Sequence, residues 1–184
     1  MPSRRLLYLA PLAVFAVIAA AAAFYLQSGR DPRLLPSALI DKPAPAFSAP
    51  GLEHDGRIVR QGVDSASFEG RITVLNFFAS WCTPCLVEHP QITALSKTPG
   101  VTLVGINYKD KPAEAANWLA RHGNPYARIG VDPAGEIAPE FGLYGVPETF
   151  LIDRAGRIRF KQVGPITKQV LEQTILPAIE TLKK

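Results

Sequence analysis

Asn76-Phe77-Phe78-Ala79-Ser80-Trp81-Cys82-Thr83-Pro84-Cys85-Leu86-Val87-Glu88-His89-Pro90 holds the only two cysteines of the 184-residue chain and sets them where a strand gives way to a helix. The run Ile72 to Phe78 is apolar or β-branched except at Asn76, the length and character of a strand buried on both faces. Small and turn-forming residues end it, and a helix is expected from Thr83 to about Lys97. Pro84 suits the first helical turn, where its missing N–H would have had no partner. Cys82 then falls at or beside the N-cap, and Cys85 lies one turn further in. Free N–H groups and the positive end of the helix dipole favour a thiolate at Cys82, which makes it the nucleophile. Cys85 is close enough to resolve a mixed disulfide formed there. A purely structural disulfide would close too short a loop to constrain the unfolded chain much, and a lone C-x-x-C supplies only half the ligands zinc takes. Reversible dithiol chemistry is therefore expected, with no metal and no cofactor.

Outward from this centre the chain divides into three parts. Leu6 to Leu26 is an uncharged apolar run behind Arg4 and Arg5, long enough to cross a bilayer as a helix. The alanines from Ala19 to Ala23 offer a cleavage site for a secretory signal, but the apolar run is longer than such signals use, so residues 1–29 are read as an uncleaved membrane anchor. Residues 30–45 carry Pro32, Pro36, Pro43 and Pro45 and are read as a stiff linker. Residues 46–184 form the folded domain, large enough for one core. A short N-terminal segment before the apolar run favours placing that domain outside the cytoplasm, in an oxidising compartment such as a bacterial periplasm. The net charge of +4 is scattered, without the basic stripe that nucleic acid requires.

Within the domain, Phe47 to Leu52 and Arg57 to Arg60 bracket the turn Glu53-His54-Asp55-Gly56 and predict a hairpin ahead of the core. Val101 to Asn107 predicts a second buried strand, and Pro112 to His122 a helix closed by Gly123. A short strand is expected over Arg128 to Val131 and a short helix over Gly135 to Phe141. Glu148 to Asp153 and Arg157 to Val163 predict an antiparallel hairpin, followed by a helix from Thr167 to Leu182. Pro90 should kink the first domain helix, and Pro177 should break or bend the last. The order βαβ then ββα, with C-x-x-C after the first long strand, is that of the thioredoxin fold. The expected architecture is thus α/β, a mixed central sheet flanked by helices, with an extra N-terminal hairpin and a single preceding transmembrane helix.

Trp81-Cys82-Thr83-Pro84-Cys85 resembles the W-C-x-x-C centre of thioredoxin-like proteins, and of their membrane-tethered, TlpA-like branch in particular. Gly105-Ile106-Asn107-Tyr108-Lys109-Asp110, Gly123-Asn124-Pro125-Tyr126-Ala127 and, most specifically, Tyr144-Gly145-Val146-Pro147-Glu148-Thr149-Phe150-Leu151-Ile152-Asp153 resemble the DsbE-type thiol:disulfide interchange proteins of cytochrome c maturation. The likeness runs from about Pro43 to the end of the chain. It implies a cis peptide before Pro147, facing the disulfide and exposing backbone for a substrate strand to pair with. It implies a carboxylate beneath the thiols at Glu88, and groove-lining roles for Tyr144 and Glu148, both acids opposing thiolate formation as suits a reductant. It places Trp81 over the disulfide against partners, with Thr83 and Pro84 between the cysteines. The implied function is a membrane-anchored periplasmic reductant of the haem-site cysteines of apocytochrome c. It would act directly or through assembly proteins, receive electrons from a transmembrane thiol reductase, and reside in the inner membrane. Alternatives are a general periplasmic TlpA-like reductase, a copper metallochaperone using Cys82, Cys85 and a histidine, and a peroxiredoxin, whose lone peroxidatic cysteine suits this sequence poorly. His89 is read as a helix-surface residue, and Trp118 as core.

Overall fold

The computed structural model describes the backbone of residues 3–27 and 38–184, and side chains over 11–24 and 38–184. The chain forms two units, residues 1–35 and 36–184. The first contains α1 (Ser3–Gln27), coincident with the run read as an anchor. Among the described residues no helix is long and apolar enough to cross a membrane. Pro32 and Pro36 of the expected linker lie outside the described residues.

The second unit is built on a five-stranded sheet. Its strands are β5 (Ile72–Phe78), β6 (Val101–Tyr108), β7 (Arg128–Asp132), β8 (Glu148–Ile152) and β9 (Ile158–Val163), preceded by four short strands, β1 (Ser48–Ala49), β2 (Leu52–His54), β3 (Arg57–Arg60) and β4 (Val63–Asp64). The order across the sheet is β7-β6-β5-β8-β9. β5, β6 and β7 run parallel, and β8 and β9 add antiparallel partners, so the expected mixed sheet is present. All seven residues of β5 are buried, as its unbroken apolar character requires of a central strand.

Alternation along β5 separates two cores. Val74 and Phe78 face the helices α2 (Thr83–Ser96), α3 (Pro112–His122) and the C-terminal helix of residues 168–183, with Leu95, Trp118, Leu119, Ile175 and Ile179. Leu75 and Phe77 face the other way, into Phe68, Phe141, Phe150, Ile152 and Ile158. Phe141 touches Phe47, Phe77 and Phe150 at centroid distances of 5.7, 5.4 and 5.2 Å. The three domain helices thus cover one face of the sheet, while the opposite face is covered by extended chain and turns.

Part of that cover is the end of the segment read as a linker. Asp41 N–H donates to Ile158 O and Ala44 N–H to Gly156 O, and Leu39, Ile40 and Ala44 pack on the second core, so the folded unit begins ahead of Ala46. The predicted hairpin is also divided. Leu52–His54 does pair with Arg57–Arg60, but Ala49 pairs with Val63, because Pro50 cannot donate to a ladder and Gly51 closes tightly on Arg60 and Gly62.

Gly135 to Phe141 forms turns instead of the predicted helix. Gly135 holds φ +75°, and Asp132 accepts from the amides of Glu136 and Ile137, an arrangement of local side-chain caps that competes with helical bonding. α2 runs without interruption through Pro90. The last helix departs from α geometry just before Pro177. It is α-helical over Lys168–Val170 and widens to a π turn over Leu171–Ile175, with Leu176 N–H reaching back to Leu171 O, before resuming over Leu176–Lys183. Pro177 has no N–H for the carbonyl four residues earlier, and the wider turn absorbs the missing bond. Thr167 caps this helix as expected, accepting from Val170 N–H.

Candidate active site

Cys82 and Cys85 are joined as a disulfide at the start of α2. Cys82 is the N-cap, with extended backbone, and its Sγ accepts a hydrogen bond from Cys85 N–H at 3.1 Å. Both sulfurs belong to nearly buried residues, 3% and 2% exposed, so exposure does not distinguish them. The backbone donor does: a negative charge on Cys82 would be met by an N–H already aimed at it. Thr83 and Pro84 are exposed between the cysteines, and Pro84 takes its expected first-turn place.

The approach to the disulfide is held by the loop after β6. Asp110 accepts from Ser80 N–H (2.6 Å) and Ser80 Oγ (2.8 Å), as well as from Asn107 Nδ2 and Lys111 N–H. Trp81, 58% exposed, donates its indole N–H to Lys109 O at 2.9 Å. The indole therefore stands beside the disulfide in a fixed orientation, one wall of an open groove also lined by Lys109, Lys111 and Arg121. The Val146–Pro147 peptide is cis, as the family likeness implies, and Tyr144 stands exposed.

Glu88 is on the same side of α2 as Cys85, one turn on, and is only 1% exposed. Its Oε1 accepts from Asn76 Nδ2 and its Oε2 from Ile166 N–H, each at 2.9 Å. Asn76 is itself fixed, donating also to Thr149 Oγ1 (3.0 Å) and accepting from the Tyr126 hydroxyl (2.7 Å). Burial pushes the Glu88 carboxyl up to about 7, against the opposing pull of the Ile166 and Asn76 hydrogen bonds. Burial, and then the neighbouring Glu88, raises Tyr126 well above the ordinary phenol range.

Glu148 does not join this group. It pairs in register with Phe77 and so projects to the sheet face opposite α2, where its Oε2 meets Lys161 Nζ at 2.9 Å and its Oε1 accepts from Tyr144 N–H. The Lys161 ammonium also donates to Gly142 O and lies over the Tyr144 ring. The sheet separates Glu148 from the cysteine-bearing helix and a lysine neutralises it. Its place is thus beneath the Tyr144–Pro147 loop, which corrects the expectation that it sits in the groove as a second acid opposing Cys82.

His89 is likewise not on the helix surface. It is 6% exposed, packs edge-on to Trp118 at 4.7 Å, and its Nε2 lies 3.1 Å from the carbonyls of His122 and Gly123. Burial lowers its pKa, and the ring is committed to α3, not to the thiols. Asn76, Tyr126, Asp110 and Lys161 are given no site role by the sequence reading, although Asp110 and Tyr126 lie within the motifs that carry the family likeness. Asn76 carried a signal as the one amide in an apolar strand, and Asp110 and Tyr126 as members of those motifs; Lys161 is brought to Glu148 by tertiary folding alone.

The arrangement supplies a nucleophilic sulfur at a helix N-terminus, a resolving sulfur one turn in, a buried carboxyl below and a fixed indole beside them. Those are the parts for exchanging a disulfide with another thiol pair. Residues 40–175 match the Redoxin family. The chain is 40% identical over 169 residues to the thiol:disulfide interchange protein HelX of Rhodobacter capsulatus, covering 92% of this chain and 93% of that one. It is also 40% identical over 184 residues to the thiol:disulfide interchange protein DsbE of Escherichia coli, covering 98% and 97%. A crystal structure from Chlorobium tepidum, of a protein assigned to the DsbE type, superposes with a TM-score of 0.62 at 33% identity over 74% of this chain and 95% of that one. The chain therefore belongs to the Redoxin family, as a thiol:disulfide interchange protein of the DsbE type.

Proposed function

We propose that the protein is a membrane-anchored periplasmic reductant, whose dithiol reduces the haem-site cysteines of apocytochrome c, directly or through assembly proteins, and is recharged by a transmembrane thiol reductase. In this reading Cys82 attacks the substrate disulfide and releases one substrate thiol, Cys85 then attacks Cys82 Sγ and displaces the second, and the Cys82–Cys85 bond is left behind. Trp81 and Tyr144 flank the incoming strand, the cis Pro147 exposes the backbone of the preceding residue for it to pair with, and Thr83 and Pro84 shape the turn that carries the nucleophile.

The observation that carries the direction of electron flow is Glu88. A buried acid ionising near pH 7 below the cysteines opposes a second negative charge on Cys82, which leaves the dithiol less favoured relative to the disulfide than in an oxidant that stabilises its thiolate. The anchor rests on the uncharged run Leu6 to Leu26 and the helix that coincides with it. The domain division of 1–29, 30–45 and 46–184 stands as part of this proposal, with the domain's N-terminal arm extended back to about residue 38.

The reduction potential of the full chain in detergent tests the direction. A value well below that of the glutathione pool supports the reductant, and one near that of DsbA-like oxidants refutes it. Deletion of the gene in its host should abolish covalent haem attachment to c-type cytochromes, and recovery of the protein as a soluble mature form would refute the anchor.

A further inference from the structure

Under the disulfide lies a closed chain of polar groups that the exchange reaction itself does not name. The Tyr126 ring stacks on Phe78 at 4.8 Å, in space kept open by Gly105, where a Cβ would come within 3.0 Å of that ring. Tyr126 is 2% exposed, and its hydroxyl meets Asn76 Oδ1 at 2.7 Å. A neutral phenol has one proton to donate, and Asn76 receives it. With its oxygen so engaged, the Asn76 amide must turn its NH2 toward Glu88 and Thr149. Glu88 therefore meets a donor at Oε1, as it meets the Ile166 N–H at Oε2, and both favour the ionised carboxylate.

We propose that Tyr126 is a positioning residue for disulfide exchange: by fixing the orientation of the Asn76 amide, it makes Asn76 a donor to Glu88 and so sets the proton affinity of the carboxyl beneath the cysteines. Without the hydroxyl, Asn76 Oδ1 is a buried acceptor with no donor. The phenol then no longer fixes the amide; turning over gives up the bonds its NH2 donates to Glu88 and Thr149 but presents its oxygen to Glu88, which can satisfy it only by carrying a proton. Glu88 thereby becomes a weaker acid. On its own helix Cys85, bonded to Cys82, lies one turn before Glu88, and Tyr126 from the segment before β7 is the titratable group whose charge couples to it; Asn76 of β5 and the Ile166 amide present neutral donors, and Thr149 of β8 reaches it only through Asn76. Glu148 and Lys161 lie beyond the sheet and are paired with each other. The assignment rests on the electrostatic role given above to Glu88, and the test separates the two.

Tyr126→Phe retains the ring and its stack on Phe78 and removes only the hydroxyl. In the full chain, oxidised, in detergent and labelled with 13C at glutamate side chains, the Glu88 carboxyl resonance is identified by its loss in Glu88→Gln. Its midpoint should rise by about one unit in Tyr126→Phe, roughly a tenfold gain in proton affinity for exchanging a donated for an accepted hydrogen bond. A midpoint within error of wild type overturns the proposal. In the reduced chain, Cys82 thiolate absorbance near neutral pH should increase in the same variant, because Glu88 remains uncharged to higher pH. A moved Glu88 midpoint with an unmoved Cys82 titration supports the Tyr126 assignment and overturns the electrostatic role of Glu88. A second measurement needs no variant of Tyr126: in wild type, the Asn76 side-chain NH2 resonances should shift with the Glu88 midpoint. Their failure to respond while Glu88 titrates overturns the proposal even if Tyr126→Phe does not fold.

Discussion

Replacing Glu88 by glutamine should flatten the pH dependence of the fold in a way that a solvated helix glutamate would not. The carboxyl titrates near 4.5 when exposed in the unfolded chain and at about 7 in the native domain, so the native state binds its proton more tightly. Between those two values the folded protein holds a proton that the unfolded chain has released, and stability falls as pH rises; below about 4.5 the favourable contribution is complete, and above about 7 it is lost. A difference of about 2.5 units corresponds to about 3 kcal/mol at roughly 1.4 kcal/mol per unit, and at 1% exposure solvent screening removes little of it. Glutamine lacks the titration but also offers one acceptor oxygen to two donors, Asn76 Nδ2 and Ile166 N–H. That mismatch costs about 1 to 3 kcal/mol at every pH and displaces the variant curve without tilting it. The quantity to follow is therefore the stability of wild type minus that of Glu88→Gln, from urea unfolding of the oxidised domain of residues 38–184 between pH 4 and pH 8. Every other carboxylate is common to both proteins and cancels. The difference should fall by about 3 kcal/mol across this range, most of it between pH 4.5 and pH 7. Parallel curves would show that the carboxyl is not destabilised by burial, and the argument for its effect on the thiols would fail with it.

Cys85→Ser should accumulate mixed disulfides through Cys82 on non-reducing gels, whereas Cys82→Ser should trap almost none, since the N-cap sulfur alone is met by the Cys85 N–H; equal trapping by both would refute the division of labour. Lys161→Met should cost about 3 to 5 kcal/mol in urea unfolding at pH 7, because it leaves the Glu148 carboxylate buried without its counter-ion, and a loss below about 1 kcal/mol would show that the pair is solvated.

The fold was legible where the chain carries long apolar periods. β5, β6, α2 and α3 lie within a residue or so of their predicted spans, because a fully buried strand and a proline-started helix each leave a local signature. What failed was short and decided by contacts distant in sequence. Phe47 to Leu52 reads as one strand, yet Ala49 and Leu52 find different partners, and nothing local tells Val63 from Arg60 as a neighbour. Gly135 to Phe141 has helical composition, but Asp132 takes its first amides. The final helix shows the intermediate case: Pro177 announced a disturbance, and tertiary packing of Leu171, Ile175 and Ile179 decided that a π turn would absorb it with the apolar face kept inward.

The site divides along the same line, and the two glutamates show why. Glu88 lies three residues after Cys85, and helical period alone puts it on the same side, so its place under the disulfide was readable from spacing. Glu148 is adjacent in sequence to Pro147, and adjacency reads as proximity to the thiols. In a strand, however, consecutive side chains point to opposite faces. Thr149 therefore reaches Asn76 on the disulfide side while Glu148 turns to Lys161 behind the sheet. Once the register Asn76↔Thr149 and Phe77↔Glu148 is known, the assignment follows from parity, and the two glutamates are buried on opposite faces with a different means of holding each. Behind the sheet a lysine neutralises Glu148 and the pair anchors the Tyr144 loop. On the disulfide side, among the described residues, no cation pairs with Glu88, which meets two neutral donors, the Asn76 amide oriented by Tyr126 and the Ile166 backbone N–H. A permanent ion pair there would have held Glu88 ionised throughout neutral pH. Neutral donors instead leave its charge responsive to pH where the cysteines exchange.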